Sequence, residues 1–294
     1  MKNFIFSLLC FVSATAFAQD TRLKDRLTAM NQSTRTFYNV DGFTITRQGY
    51  RGELTEKGLR KPLREYDVKF GSLAKDTGLP LNNLYATSSQ PAEGGLTQNS
   101  SYYFVEKDGN VTVVWFGSIN KTDKAFEREF VQLVVNNQVP PESFTSMTMG
   151  DVNFGGRVLK LGDPCYWTNI NTVQCPYQGE MNWSVHKDSL DAVQTVGYQL
   201  QMTKAKKSIK VLSEEAVDIV FEEVPVKATK VVYDLTGLVG LAAGTSGGKT
   251  LTVYYVAGPV RGNYISCVLS YWNNDDINPA SGLPKLLEQV MRVK

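Results

Sequence analysis

Few side chains in this chain are suited to chemistry. Among 294 residues there is one histidine, His186, and four cysteines, Cys10, Cys165, Cys175 and Cys267. A structural zinc site draws three or four ligands from Cys and His, so no metal centre is expected here. The glycine-rich stretch Ala243–Thr250 ends in Gly248-Lys249-Thr250 and matches a loose phosphate-binding loop. Such a loop must open a helix whose N-terminus faces the phosphates. The next residues, Leu251-Thr252-Val253-Tyr254-Tyr255, have the composition of a strand. The same stretch, read as Gly244-x-Ser246-x-Gly248, mimics a nucleophile elbow, which also needs a helix after the serine and a histidine later in the chain. His186 comes earlier. Asn274, Asp276 and Asn278 alternate like the opening of a calcium loop, but Pro279 replaces its glycine and Lys285 its bidentate glutamate. No catalytic residue, cofactor or metal ligand is therefore assigned from sequence.

A different chemistry has more to work with. Trp167 and Asn169, then Trp183, then Tyr271, Trp272 and Asn273 place aromatic rings beside amides or close to them. Such sets suit sugar rings, with their apolar C–H faces and hydroxyl edges, and they suit protein interfaces equally. These six form the expected binding surface; an ordinary aromatic core is the alternative. Two basic clusters, Arg47, Arg51, Lys57, Arg60, Lys61 and Arg64, then Lys204, Lys206, Lys207 and Lys210, would meet an anionic partner or simply be solvated. Net charge is only +2, which argues against nucleic acid.

The N-terminus reads as an export signal. Lys2, the apolar run Phe4–Val12 and the small-x-small triplet Ala16-Phe17-Ala18 come in the order of a cleavable signal peptide, residues 1–18, with the mature chain starting near Gln19. The run is too short to span a bilayer, which takes roughly 20 residues. No transmembrane segment is expected in the mature chain, which would be periplasmic, cell-surface or extracellular. Export leaves three cysteines in an oxidising compartment, where neighbours pair. Cys165 and Cys175 bracket a turn-rich stretch and are expected to form a disulfide, with Cys267 a buried free thiol. Asp188-Ser189-Leu190 has the form of a short O-glycosylation site used in some exported bacterial proteins.

The positioning elements are read from periodicity. Leu23, Leu27 and Met30 predict a helix over 20–32, and strands are expected at 42–48 and 66–70. Residues 102–105 and 111–116 read as a hairpin about Asp108-Gly109, leading into a helix with Phe126, Phe130, Leu133 and Val134 on one face. In the C-terminal half, strands 251–256 and 264–271 precede a polar loop and a helix carrying Leu283, Leu287, Val290 and Met291. Ser213-Glu214-Glu215 favours a helix to Phe221. The expected fold class is α+β, in two similarly built units, 19–150 and 151–294, each an antiparallel sheet with a helix packed on one face. The expected function is an exported, non-catalytic binding protein with a protein or glycan partner. A secreted hydrolase using Ser246 or a carboxylate pair is the alternative.

Overall fold

A computed structural model describes residues 23–237 and 248–294. The signal-like segment and residues 238–247, including Gly244 and Ser246, lie outside the described residues. The described chain is dominated by antiparallel sheet, with two large sheets and few helices.

The first sheet is built from residues 28–119. Helix α1 (Leu23–Arg26) leads into β1 (Thr28–Gln32), β2 (Arg35–Val40) and β3 (Phe43–Arg51). Next come helix α2 (Glu56–Glu65), β4 (Asn83–Pro91), β5 (Thr97–Lys107), β6 (Asn110–Ile119) and α3 (Lys124–Val135). Strand order is β1-β2-β3-β6-β5-β4. Alternation divides its two faces. Ile45, Tyr103, Val114 and Phe116 turn toward Phe130 and Val134 of α3, whereas Tyr50, Phe104, Val111 and Val113 cluster with Leu59 and Leu63 of α2. Asp123 caps α3 through the Phe126 N–H (3.0 Å), and Thr55 caps α2 through the Gly58 N–H (3.1 Å). Lys57, Arg60, Lys61 and Arg64 fall on α2, so part of the first basic cluster belongs to a helix over the sheet.

Two expectations fail here. The helix over 20–32 ends after one turn at Arg26, because Thr28–Gln32 pairs residue by residue with β2, Met30 opposite Phe37. Residues 66–70 form no strand: the Val68 N–H returns to the Leu63 carbonyl (2.9 Å), and Phe70–Ser72 is a 3-10 turn.

The hairpin β7 (Asp151–Phe154) and β8 (Arg157–Lys160) precedes β9 (Tyr166–Asn169), β10 (Thr172–Cys175) and β11 (Gly179–His186). Helix α4 (Ser189–Ala205) leads to β12 (Ile209–Phe221), β13 (Val224–Leu235), β14 (Thr250–Val260) and β15 (Asn263–Trp272). The chain ends with β16 (Ile277–Asn278), β17 (Leu283–Pro284), α5 (Lys285–Glu288) and β18 (Met291–Val293). The second sheet runs β18-β12-β13-β14-β15-β11-β10-β9. One face packs Met181, Trp183, Val256, Cys267 and Leu269 against Phe154, Leu159 and Leu287. The other places Val231, Tyr233, Val253 and Tyr255 under Val196 and Leu200 of α4.

The segment 213–221 is strand, not helix, pairing with β13 from Ser213 opposite Val232 to Phe221 opposite Val224. The expected C-terminal helix shrinks to α5, with Leu283 in β17 and Met291 in β18. The strand pairs drawn by those flanking residues replace helical turns.

The two sheets meet at a polar junction. Arg26 and Asp41 form a buried ion pair (3.0 Å), and Asp41 also accepts the Lys187 N–H (2.8 Å). The Asp41 N–H donates to the Val185 carbonyl (3.0 Å), and the Ser184 hydroxyl donates to Asn39 Oδ1 (2.8 Å). His186 is fully buried here, its Nε2 bonded to Ser266 Oγ (2.9 Å). Burial, then the nearby Lys121 ammonium, pushes its pKa down to about 3, so its ring is neutral at ordinary pH and fills a structural place.

A candidate binding groove on the second sheet

Three adjacent strands bring polar side chains into one row. Gln174 on β10 lies opposite Glu180 on β11, which lies opposite Ser270 on β15. Directly opposed residues project from the same face. Further along, the row becomes Val253 and Val231 beneath α4, so the polar end lies beyond the helix on the same face. Two residues along β15, Trp272 stands opposite Leu251.

Loops close the sides. The β10–β11 turn holds Tyr177 at φ 61° and Gly179 at φ 101°, with the Tyr177 ring exposed. Across from it, the Asp275 carboxylate accepts the Trp272 N–H (2.9 Å), and the Asp276 N–H bonds to the Tyr177 carbonyl (2.7 Å), tying the two loops together. Together with Leu235, Gly248 and Asn274 these residues line a groove of about 550 Å³. A Cβ at Gly179 would meet Leu287 Cδ1 at 2.7 Å and the Ser270 carbonyl at 3.0 Å, so glycine is needed for both conformation and space. A Cβ at Gly248 would come within 2.7 Å of Asn274 Oδ1 and 3.2 Å of the Trp272 ring, so this glycine lets backbone form the groove wall.

The groove has two carboxyls and no lysine or arginine among its described lining residues. Burial alone pushes the Glu180 pKa up, and its side chain makes no hydrogen bond or ion pair to any described residue. Burial also raises Asp275, against the lowering effect of the Trp272 N–H; the charge of Asp276 adds to the rise. Lys249 is close in sequence, but its ammonium is drawn to Asp234 (3.6 Å). Chemically, the groove offers ring faces, amide and hydroxyl hydrogen-bonding groups, and two carboxyls without a cation.

Of the six residues expected to form a binding surface, only Trp272 lines this groove. Tyr271 has the opposite alternation phase and packs on the other face. Trp183 is 2% exposed, between Phe154 (5.5 Å) and Trp167 (5.9 Å), and is core rather than surface. Trp167 is half-buried, donates its Nε1–H to the Ser146 carbonyl (3.1 Å), and borders a separate cavity of about 190 Å³. Asn169 accepts the Ile170 N–H (2.8 Å) in the β9–β10 turn. Asn273 accepts the Lys249 and Thr250 N–H groups (2.9 Å each), fixing the start of β14. Glu180, Gln174 and Tyr177 carry no mark in the sequence that singles them out. The signal available is the phase of β15, where Ser270 and Trp272 share a face that Leu269 and Tyr271 do not.

The disulfide Cys165–Cys175 is present at the end of β10, beside the groove, and Cys267 is free and buried. Asn278 ends β16 and holds the turn after it, accepting the Ala280 N–H (3.0 Å) and donating to Glu288 (2.7 Å). Among the described residues no group of three or more His, Cys, Asp and Glu is arranged to hold a metal. No described helix is long and apolar enough to cross a membrane. Asp188 caps α4 by accepting the Asp191 N–H (2.8 Å), leaving Leu190 exposed.

A smaller cavity, about 250 Å³, lies on the α3 face of the first sheet, lined by Tyr85, Thr87, Asn99, Ser101, Lys124 and Glu127 among others. Its acids are answered from within. Asp76, joined to it through Lys124 (3.0 Å), also takes a two-point contact from Arg128 (2.7 and 3.0 Å), and these cations hold its pKa down at about 2. Glu127 accepts from Ser101 Oγ and Tyr103 OH at 3.0 Å each; burial still pushes its pKa up.

No protein family and no curated protein matches the chain. Among solved structures, one from Bacteroides thetaiotaomicron VPI-5482 matches with a TM-score of 0.29 and 8% identity, over 69% of this chain and 80% of that one. The di-domain ARO/CYC StfQ from the steffimycin biosynthetic pathway matches with a TM-score of 0.16 and 9% identity, over 88% and 78%. Likeness at this level carries no functional argument.

Proposed function

We propose that this chain is an exported, non-catalytic binding protein whose glycan ligand lies in the groove of the second sheet. The observation that carries the reading is the convergence of the Trp272 and Tyr177 rings with Gln174, Glu180, Ser270, Asn274 and Asp275 around one groove. Concave sites with apolar walls and a few placed polar groups are where small ligands bind. Export is supported by the signal-like order of residues 1–18 and by the Cys165–Cys175 disulfide, a bond that persists in oxidising compartments. The organisation in this reading is two similarly built units, 19–150 and 151–294, each a sheet carrying a helix on one face. The packing of α3 on the first sheet and α4 on the second supports it.

Tryptophan fluorescence titration with a panel of neutral, amino and acidic oligosaccharides tests the reading. A saturable change in wild type that Trp272→Ala abolishes is expected. No saturable change with any panel member would overturn it.

The presence of two carboxyls with raised pKa in one groove favours hydrolysis as a second reading, since acid–base hydrolysis of a glycoside uses such a pair. Turnover of chromogenic glycosides, lost in Glu180→Gln, would establish it; its absence across neutral, amino and acidic substrates leaves binding.

A further inference from the structure

Building on the groove as a ligand site, we propose that its ligand carries an ammonium group, as an amino-sugar oligomer does, with the ammonium set between Glu180, Asp275 and the Trp272 ring. The first ground is charge complementarity. Elsewhere in this chain, carboxylates held more deeply than the half-buried Glu180 are answered from within: Asp41 by Arg26, Asp76 by Arg128 and Lys124, Glu222 by Arg157 and Arg261, and Glu127 by the Ser101 and Tyr103 hydroxyls. Glu180 has no such partner among the described residues, and Asp275 has only a backbone N–H. Carboxyls withdrawn from water without a cation are at a disadvantage when ionised, and a cation brought by the ligand removes it.

The second ground is the ring set. Trp272 and Tyr177 line the same groove, and an indole face attracts a desolvated ammonium. The third is exclusion. A uronate or phosphate would bring a third negative group to a site whose described lining has no lysine or arginine to receive it. A neutral sugar can use Gln174, Ser270 and Asn274 but leaves both carboxyls uncompensated.

The test is isothermal titration at about pH 6, above the ordinary carboxyl range and below the ordinary amine range. The probes are a glucosamine trimer, its N-acetylated counterpart and a galacturonate trimer, against wild type, Glu180→Gln and Trp272→Ala. The glucosamine trimer is expected to bind about tenfold or more tightly than the N-acetylated one, with the galacturonate trimer weakest. Glu180→Gln should bring the ratio of the two affinities close to one; Trp272→Ala should weaken both. Equal or tighter binding of the N-acetylated trimer, or an undiminished preference in Glu180→Gln, overturns the ammonium inference and leaves the groove as a ligand site. No saturable heat from any probe overturns both. A thermal melt of Glu180→Gln no lower than wild type confirms that its effect on binding is local.

Discussion

Two cavities on the helix-bearing faces of the two sheets differ in what their acids are given as partners. Around the first sheet's cavity, Asp76 is 3% exposed and surrounded by Arg128 and Lys124, while Glu127 accepts two hydroxyl hydrogen bonds. In the second sheet's groove, Glu180 has neither cation nor hydroxyl partner among the described residues; burial pushes its pKa up, as it does that of Glu127, while the two cations hold that of Asp76 down. This contrast separates architecture from function. A self-satisfied ion network is consistent with holding a fold together. Groups left uncompensated at a solvent-open groove lower stability, and such a cost points to a ligand.

The largest expected effects probe the supports on either side of this contrast. Removing the disulfide by the double change Cys165→Ser and Cys175→Ser releases a short loop and should lower stability by about 3 kcal/mol. Because Cys175 borders the groove, ligand affinity should fall as well, read by denaturant unfolding and titration. Arg128→Ala should lower stability modestly, since Asp76 keeps Lys124 and the arginine is about a third exposed. If Arg128→Ala were neutral, the first cavity's network would not be the stabilising counterpart described here.

Acid should lower stability in two overlapping stages. His186 has a folded pKa below its ordinary value, so its contribution is complete above pH 6.5 and is lost as pH falls toward about 3. Asp76, also depressed, contributes fully above its ordinary value of 3.8 and loses this as pH falls toward about 2. His186→Gln should flatten the upper stage of a melting-temperature profile against pH and leave the lower stage unchanged. Gly179→Ala should cost about 1 kcal/mol or more, from its left-handed backbone and the contact with Leu287. Glu180→Gln comes last: its raised pKa is a penalty present above the folded pKa and absent at low pH, so at neutral pH the variant should melt at or slightly above wild type.

Much of the fold is legible where local signals agree with tertiary pairing. The hairpin β5–β6 has Asp108 and Gly109 at positive φ in its turn, as the Asp-Gly pair requires, and α3 has a capped start and one apolar face. The Cys165–Cys175 bond is legible from the closeness of the two cysteines in sequence and from the expectation of export. Helix α4 is not: the stripe Ala192, Val196 and Leu200 is narrow, and Leu190 and Val193, exposed outside it, blur the pattern. Strand β12 looks helical because Ser213, Glu214 and Glu215 lie on a largely unpaired outer edge, where charge is favoured in a strand too. The groove is illegible for a simpler reason. Its residues come from 174–180, 235–251 and 270–275, and register alone brings Glu180 beside Ser270.

The central contrast can be read in one experiment, a site-resolved ¹³C NMR titration of the carboxyl groups. Without ligand, Asp76 should titrate near 2 and Glu180 above the ordinary 4.5. Adding the glucosamine trimer should lower the Glu180 midpoint and leave that of Asp76 in place. A Glu180 midpoint at or below its ordinary value in the free protein, or one that the trimer does not move, would contradict the assignment of an uncompensated carboxyl to this groove.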